Sequence, residues 1–145
     1  MSSVPQTYEN HVRLVPLFHY VGSPLLLVLL VWTAWRFVRT PSADDLLMFL
    51  IVLLLALVGF FARHFALGVQ DRVIRLEERL RMERLFDGAL RARIPEFTTE
   101  QLIGLRFASD EELPELARRV LDEGIADRGT IKKAVKRWRA DLQRI

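Results

Sequence analysis

The sequence predicts an all-α protein: a two-helix transmembrane hairpin whose second helix extends into the cytoplasm and carries a small C-terminal helical tail domain. Three observations predict this fold. The apolar residues concentrate in two blocks, 14–38 and 46–69, instead of spreading evenly along the 145 residues. From residue 63 onward the chain is rich in charge but keeps apolar residues at helical spacing. No stretch shows the alternation of apolar and polar residues that is typical of a strand.

The first block predicts a membrane span that follows a polar segment. Residues 1–13 are polar, and we expect them to lie at the membrane surface. Residues 14–35 carry no formal charge over 22 positions, and a transmembrane helix needs about 20. Pro16 and Pro24 restrict where regular helix begins, or kink it. A cleaved signal peptide fits poorly, because the apolar core is too long and no small-residue cleavage motif follows. The first span is predicted over about 14–38.

A tight turn joins the two spans. Pro41 ends the first helix, and Ser42 with Asp45 fits a capping box that opens the second. So short a connection predicts an antiparallel hairpin over 14–69, with the second span at about 45–68. Six Lys or Arg residues flank the predicted spans on the side of the termini, and two flank them on the side of the loop. Because positive residues favour the cytoplasmic side, both termini are predicted to be cytoplasmic.

The second helix is predicted to continue to about Phe86, with 70–86 forming a cytoplasmic extension. Apolar or small residues recur along it at intervals of four and three residues, the spacing of a coiled-coil seam. Small residues on the seam allow close helix approach within the membrane. The predicted assembly face is Gly59, Ala62, Ala66, Val69, Val73, Leu76 and Leu80. Whether the extension packs on its own tail or on another copy stays open at this stage.

Side chains suited to a membrane interface lie at both ends of the predicted hairpin. The predicted anchors are His11, Arg13, His19, Trp32, Trp35, Arg63 and His64. A metal site or proton relay built from the three histidines is an alternative, because ionisable groups within a membrane are often functional. Hydrogen bonding to lipid headgroups explains the same histidines.

The tail, 87–145, is predicted to hold three short helices. Thr98 and Gln101 form a capping box before helix 99–107, Ser109 with Glu112 opens helix 113–123, and Asp127 leads into a third helix over 131–142. The stretch that contains Ser109, three acids and nearby Glu115 is also a candidate cation site, although helix capping explains the same residues.

Five bases on the third predicted helix form a basic patch: Lys132, Lys133, Lys136, Arg137 and Arg139. With the two preceding helices this patch loosely resembles a helix-turn-helix nucleic-acid reader. It also suits anionic lipid, or a solvated face with Trp138 in a small core. From residue 63 onward 18 Lys/Arg oppose 15 Asp/Glu, and this mixture does not favour a dedicated polyanion surface.

Four stretches together resemble a family of small, uncharacterised bacterial inner-membrane proteins: QTYENHVRLVPLFH at 6–19, FALGVQDRVIRLEERLR at 65–81, LRFASDEEL at 105–113 and IKKAVKRWR at 131–139. The resemblance covers nearly the whole chain. It implies a bacterial two-span protein of the inner membrane and carries no activity or site residues.

The sequence contains no cysteine and no catalytic or phosphate-binding motif, so we predict no enzymatic activity, no metal and no cofactor. The predicted function is that of an integral-membrane interaction protein, an accessory subunit or a self-assembling scaffold. Its predicted partners are the lipid bilayer and either itself or another membrane protein. A small homo-oligomeric channel is the first alternative. A membrane-tethered nucleic-acid binder acting through the basic C-terminal helix is the second, and nucleic acid is the less expected partner.

Overall fold

The computed structural model describes residues 6–10 and 14–141, and within them it contains helices and no strand. The α-helices are α1 Ser23–Arg39, α2 Ala43–Leu85, α3 Gly88–Ala92, α4 Thr99–Leu105, α5 Leu113–Asp122 and α6 Arg128–Ala134. A π-helical turn, Leu17–Gly22, precedes α1, and a 3-10 turn, Ile94–Glu96, follows α3. The chain divides into a hairpin unit, Arg13–Leu67, and a tail unit, Met1–Val12 with Gly68–Ile145. The all-α fold predicted from the sequence is confirmed.

Two prolines determine where α1 begins. The π-helical turn starts after Pro16, and Ser23 donates both its backbone N–H and its hydroxyl to the carbonyl of Phe18, the hydroxyl at 3.0 Å. Pro24 lies in the first turn of α1. Because proline has no N–H, Pro24 cannot donate to the carbonyl of Tyr20, and the hydrogen bonding changes here from the π-helical to the α-helical pattern.

Contacts at both ends show that α1 and α2 run antiparallel in the hairpin unit. At the loop, Arg36 Nη2 lies 2.9 Å from Asp45 Oδ1. At the other end, the guanidinium of Arg63 lies 6.0 Å from the centre of the Phe18 ring. The Ser42 hydroxyl accepts the N–H of Asp45 at 3.1 Å and donates to its carboxylate at 2.8 Å. The predicted capping turn and hairpin are confirmed.

The hairpin unit exposes apolar side chains almost everywhere. Two helical segments, Leu17–Arg39 and Ala43–Leu85, are long and apolar enough to cross a membrane. Of the hairpin residues that the structure describes, only Thr33 and Val52 are buried. The Thr33 hydroxyl donates to the carbonyl of Leu29 at 2.8 Å, so its polar group is satisfied within α1. A surface composed so largely of Leu, Val and Phe suits lipid better than water.

The tail unit has a compact core to which the end of α2 and the short helices all contribute. Its fully buried members are Met82, Leu102, Leu105, Phe107, Ala108, Leu113, Ala117, Val120 and Ile131. Gly104 allows α4 and α6 to approach closely, because a Cβ added there would lie 2.8 Å from the Cβ of Ile131.

Most tail boundaries follow the capping residues. Thr98 and Gln101 form a reciprocal capping box at α4, and the Asp127 carboxylate accepts the N–H of Thr130 at α6. Gly124 adopts φ 64° just after α5, a conformation that favours glycine. The helix α3 was not predicted. The Asp87 carboxylate caps it by accepting the N–H of Leu90 at 2.9 Å.

The predicted third tail helix, 131–142, is wrong beyond Ala134. Val135 is extended, and the Glu112 carboxylate accepts the backbone N–H groups of Lys136 at 2.9 Å and Arg137 at 2.7 Å. The N–H of Arg139 donates to the carbonyl of Phe107 at 2.7 Å. These long-range partners take the backbone donors that a continued helix would use, so the chain leaves α6 as an extended segment.

Residues 6–10 belong to the tail unit, a contact that the sequence did not reveal. The side-chain oxygen of Gln6 accepts the N–H of Asp141 at 2.9 Å, and Lys133 Nζ lies 5.6 Å from the centre of the Tyr8 ring. Their expected place at the membrane surface stays a prediction.

Candidate functional site

Within the tail unit, helix α2 presents two faces of different character. One face, with Ile74, Glu78, Arg81 and Met82, is buried against the tail. The other carries four exposed apolar residues, which we call the apolar stripe: Val69 (60% exposed), Val73 (47%), Leu76 (61%) and Leu80 (52%). At about 100° per residue, the two faces point roughly 150° apart around the helix.

These two faces bear on one part of the question that the sequence left open, and packing on another copy stays a prediction. The extension packs on its own tail, but through residues outside the predicted assembly face. The predicted residues Val69, Val73, Leu76 and Leu80 stay uncovered. In the hairpin unit, Gly59 and Ala62 are exposed and Ala66 is half-buried, and a Cβ at Gly59 would meet nothing within 4 Å. Among the residues that the structure describes, Val69, Val73, Leu76 and Leu80 therefore form a surface that the tail unit leaves exposed.

Arg81 holds the buried face of α2 to the tail. Its guanidinium donates to Asp110 Oδ1 at 2.8 and 2.6 Å, to Glu78 Oε2 at 3.0 Å and to the carbonyl of Ala108 at 2.7 Å. Helical spacing suggests a bond to Glu77, but the actual partners are Glu78 and two groups 27 and 29 residues away. The N–H donors of arginine form a planar fork that can bind several oxygens at once. The ammonium group of lysine lacks this geometry.

Glu78 is the buried acid of this cluster. It bonds Arg81 and lies 3.5 Å from Arg139 Nη1 in the extended segment after α6. Burial raises the pKa of Glu78 above its ordinary value of 4.5, because the loss of water outweighs the attraction of Arg81 and Arg139. The ion pairs of Glu78 therefore link α2 to the C-terminal segment, and burying the carboxylate costs free energy.

A groove of about 1050 Å³ runs beside the apolar stripe in the tail unit. Val73 and Leu80 line it, together with residues 139–141. Its charged lining is balanced between four arginines and four acids: Arg81, Arg84, Arg106, Arg139, Glu77, Glu78, Glu83 and Asp141. This balance gives no preference for an anion or a cation, and it places charged groups beside Val73 and Leu80.

The acids near Ser109 have structural partners. Asp110 binds Arg81, Glu112 accepts two backbone N–H groups, and the Ser109 hydroxyl accepts the N–H of Glu112 at 3.3 Å. A hydrogen bond from Ser109 lowers the pKa of Glu111. No group of three or more His, Cys, Asp or Glu side chains that could hold a metal occurs in the part of the chain described, 6–10 and 14–141.

The basic patch does not lie on one helix. Lys132 and Lys133 lie on α6, with their ammonium groups over the rings of Phe107 (5.2 Å) and Tyr8 (5.6 Å). Lys136, Arg137 and Arg139 lie on the extended segment after α6. Trp138 packs against the core with its ring 4.8 Å from that of Phe107, as the small-core interpretation predicts.

The described anchors cluster at the two ends of the hairpin unit. The rings of Trp32 and Trp35 lie 5.3 Å apart at the loop end. At the opposite end, His64 stacks on Phe60 at 6.1 Å, and His19 Nδ1 lies 3.0 Å from the backbone oxygen of Val15. The predicted anchors His11 and Arg13 lie outside the described residues.

The fold and surface define a class: an all-helical protein with two candidate membrane spans, a compact helical tail and an uncovered apolar stripe on the helix common to both. The chain belongs to a family of unknown function, DUF6526, whose match extends over residues 1–145. No curated protein and no solved structure matches the chain.

Proposed function

We propose that this protein is a non-enzymatic, membrane-anchored interaction protein, an accessory subunit or a self-assembling scaffold. The observation that carries the proposal is the apolar stripe. Four large apolar side chains stay exposed on a helix segment whose opposite face is already buried. Contiguous exposed apolar surface with a polar rim marks interaction sites.

The proposed location is the bacterial inner membrane, with both termini in the cytoplasm. On α2, residues 46–62 are free of charge, and they span about 25 Å at 1.5 Å per residue, close to the thickness of a bilayer core. Charged residues bound this stretch at Asp45 and Arg63. Because the chain has no cysteine, single cysteines report topology directly. An impermeant maleimide applied to intact cells should label Thr40→Cys and leave Glu111→Cys unlabelled; the reverse pattern would invert the orientation.

The test of function is the mass and composition of the complex extracted in lipid nanodiscs. We expect the wild-type chain to appear in an assembly, with itself or with another membrane protein. Leu76→Glu should reduce that assembly to the single chain and leave membrane insertion intact, because it places a charge in the apolar stripe. Arg75→Glu is the matched control, an exposed charge change one residue away from the stripe. An unchanged assembly in Leu76→Glu would remove the stripe from the proposal.

The two alternatives have less support. A channel needs polar groups that line a pore, but the span hydroxyls of Ser23 and Thr33 donate to backbone carbonyls of the preceding turn. A flat conductance record from reconstituted bilayers would exclude it. A nucleic-acid reader needs a recognition helix, and α6 has only seven residues, Arg128–Ala134. Salt-dependent DNA binding that falls on neutralising Lys132, Lys133 and Lys136 would revive that alternative.

A further inference from the structure

We propose that the apolar stripe is covered by the same stripe of a second copy of this chain, in a parallel, in-register, two-stranded coiled coil. The inference rests on the proposed function and names the partner at that surface. Its basis is the spacing of the stripe, the direction in which α2 leaves the membrane hairpin, and the charges beside the stripe.

The spacing fits a coiled-coil seam. Val69, Val73, Leu76 and Leu80 follow one another at intervals of four, three and four residues. In heptad terms Val73 and Leu80 take the a position and Val69 and Leu76 the d position. Glu83 takes the next d position, so the apolar seam ends after Leu80. At Val73 and Leu76 a β-branched residue at a is followed by leucine at d, the arrangement that favours two strands, whereas Val69 at d and Leu80 at a have the reverse order.

The membrane sets the orientation. Copies that insert their hairpins with one topology direct α2 out of the bilayer on the same side, so two neighbouring extensions run parallel. A parallel pair related by a two-fold axis brings each seam residue next to its own counterpart, since such an interface uses the same patch on both copies.

The flanking charges agree with parallel pairing. In a parallel coiled coil, a residue at g faces the e residue five positions later on the partner. Arg72 therefore faces Glu77 of the second copy, and symmetry repeats this attractive pair; both side chains are exposed in the tail unit. Antiparallel pairing would instead bring the two g positions, Arg72 and Arg79, against each other. The next parallel pair, Arg79 with Arg84, is repulsive and marks the end of the paired segment.

The first experiment uses single cysteines in the full chain, which has none of its own. Variants at each position from 69 to 80 are oxidised in native membranes and scored for same-residue disulfide dimers. We expect dimers at Val69, Val73, Leu76 and Leu80, where parallel seams bring equivalent Cα atoms within disulfide reach. Arg75→Cys, exposed but off the seam, is the matched control and should stay monomeric. Dimers that form equally at every exposed position would overturn the proposed seam.

The second experiment tests the register by charge exchange. Arg72→Glu and Glu77→Arg should each weaken dimerisation about threefold to tenfold, because each turns two attractive contacts into repulsive ones. The double variant should restore the wild-type level, and Arg84→Glu should strengthen the dimer. A double variant as weak as the singles would refute this register.

The outcomes separate this inference from the proposed function. A foreign subunit that crosslinks to the stripe at fixed stoichiometry would overturn the second copy as the occupant and leave the interaction function standing. A chain that stays monomeric with no crosslinked neighbour at any stripe position would overturn both.

Discussion

Replacing Arg81 with methionine tests whether one buried cation holds the tail onto α2. Arg81 is 4% exposed and is the main partner of Glu78, itself 5% exposed. Methionine keeps much of the side-chain length but leaves the Glu78 carboxylate buried with only Arg139 nearby, at 3.5 Å. Removing one partner of a buried ion pair costs about 3–5 kcal/mol. Asp110 is 60% exposed and regains water, so we expect the lower end, about 3 kcal/mol.

Hydrogen exchange on the amides of α4 and α6 in nanodiscs measures this loss. About 3 kcal/mol corresponds to a roughly 100-fold fall in protection, since each 1.4 kcal/mol is a factor of ten. The control is Arg84→Met, an exposed arginine on the same helix, which should stay within about 0.5 kcal/mol of wild type. The double variant Glu78→Gln, Arg81→Met should recover part of the loss, because no uncompensated charge remains. Protection within threefold of wild type in Arg81→Met would refute the reasoning.

Three further predictions concern the tail unit. Gly104→Ala should lower the free energy of unfolding of the tail unit by about 1–3 kcal/mol, because the new Cβ overpacks against Ile131. Gly88→Ala is the control and should not destabilise the unit, because its Cβ meets nothing within 4 Å. Chemical denaturation compares the two variants. Thr98→Ala should lower the same free energy by about 1 kcal/mol through loss of the α4 cap, and a serine there should retain it. Because the pKa of Glu78 is raised by burial, its contribution to stability should fall as pH rises from about 4.5 through that raised pKa; Glu78→Gln should remove this slope from pH-dependent hydrogen exchange.

Much of the hairpin follows from the sequence because its signals are local. Length and lack of charge predict the spans, and the predicted end of α2 near Phe86 agrees with the helix Ala43–Leu85. The capping residues Thr98 and Asp127 predict their helices for the same reason, because each side chain accepts an N–H only three residues away.

The rest depends on partners distant in sequence. Helix propensity continues the third tail helix past Ala134, but Glu112 takes the N–H groups of Lys136 and Arg137 from 24 and 25 residues away. The bond between Arg81 and Asp110 spans 29 residues, and that between Gln6 and Asp141 spans 135. No periodic pattern carries this information. The candidate surface was partly predictable, because its spacing is local, but its exposure depends on which face of α2 the tail covers.

The hydrophobic gain at the apolar stripe can be set against the cost of forming the proposed dimer. Full burial of a Val or Leu side chain gains about 1.5–3 kcal/mol, so four residues that are about half exposed gain roughly 1 kcal/mol each. Two paired copies gain about 8 kcal/mol at most, and association in solution costs about 4–15 kcal/mol. Confinement to a bilayer raises the effective concentration and removes part of that cost. In the proposed dimer, the small residues Gly59 and Ala62 would add no hydrophobic gain in lipid and would act only through close packing. In a dimer of the proposed kind, the attraction resides in Val69–Leu80; its gain lies within the range of the association cost, so confinement to a bilayer favours pairing.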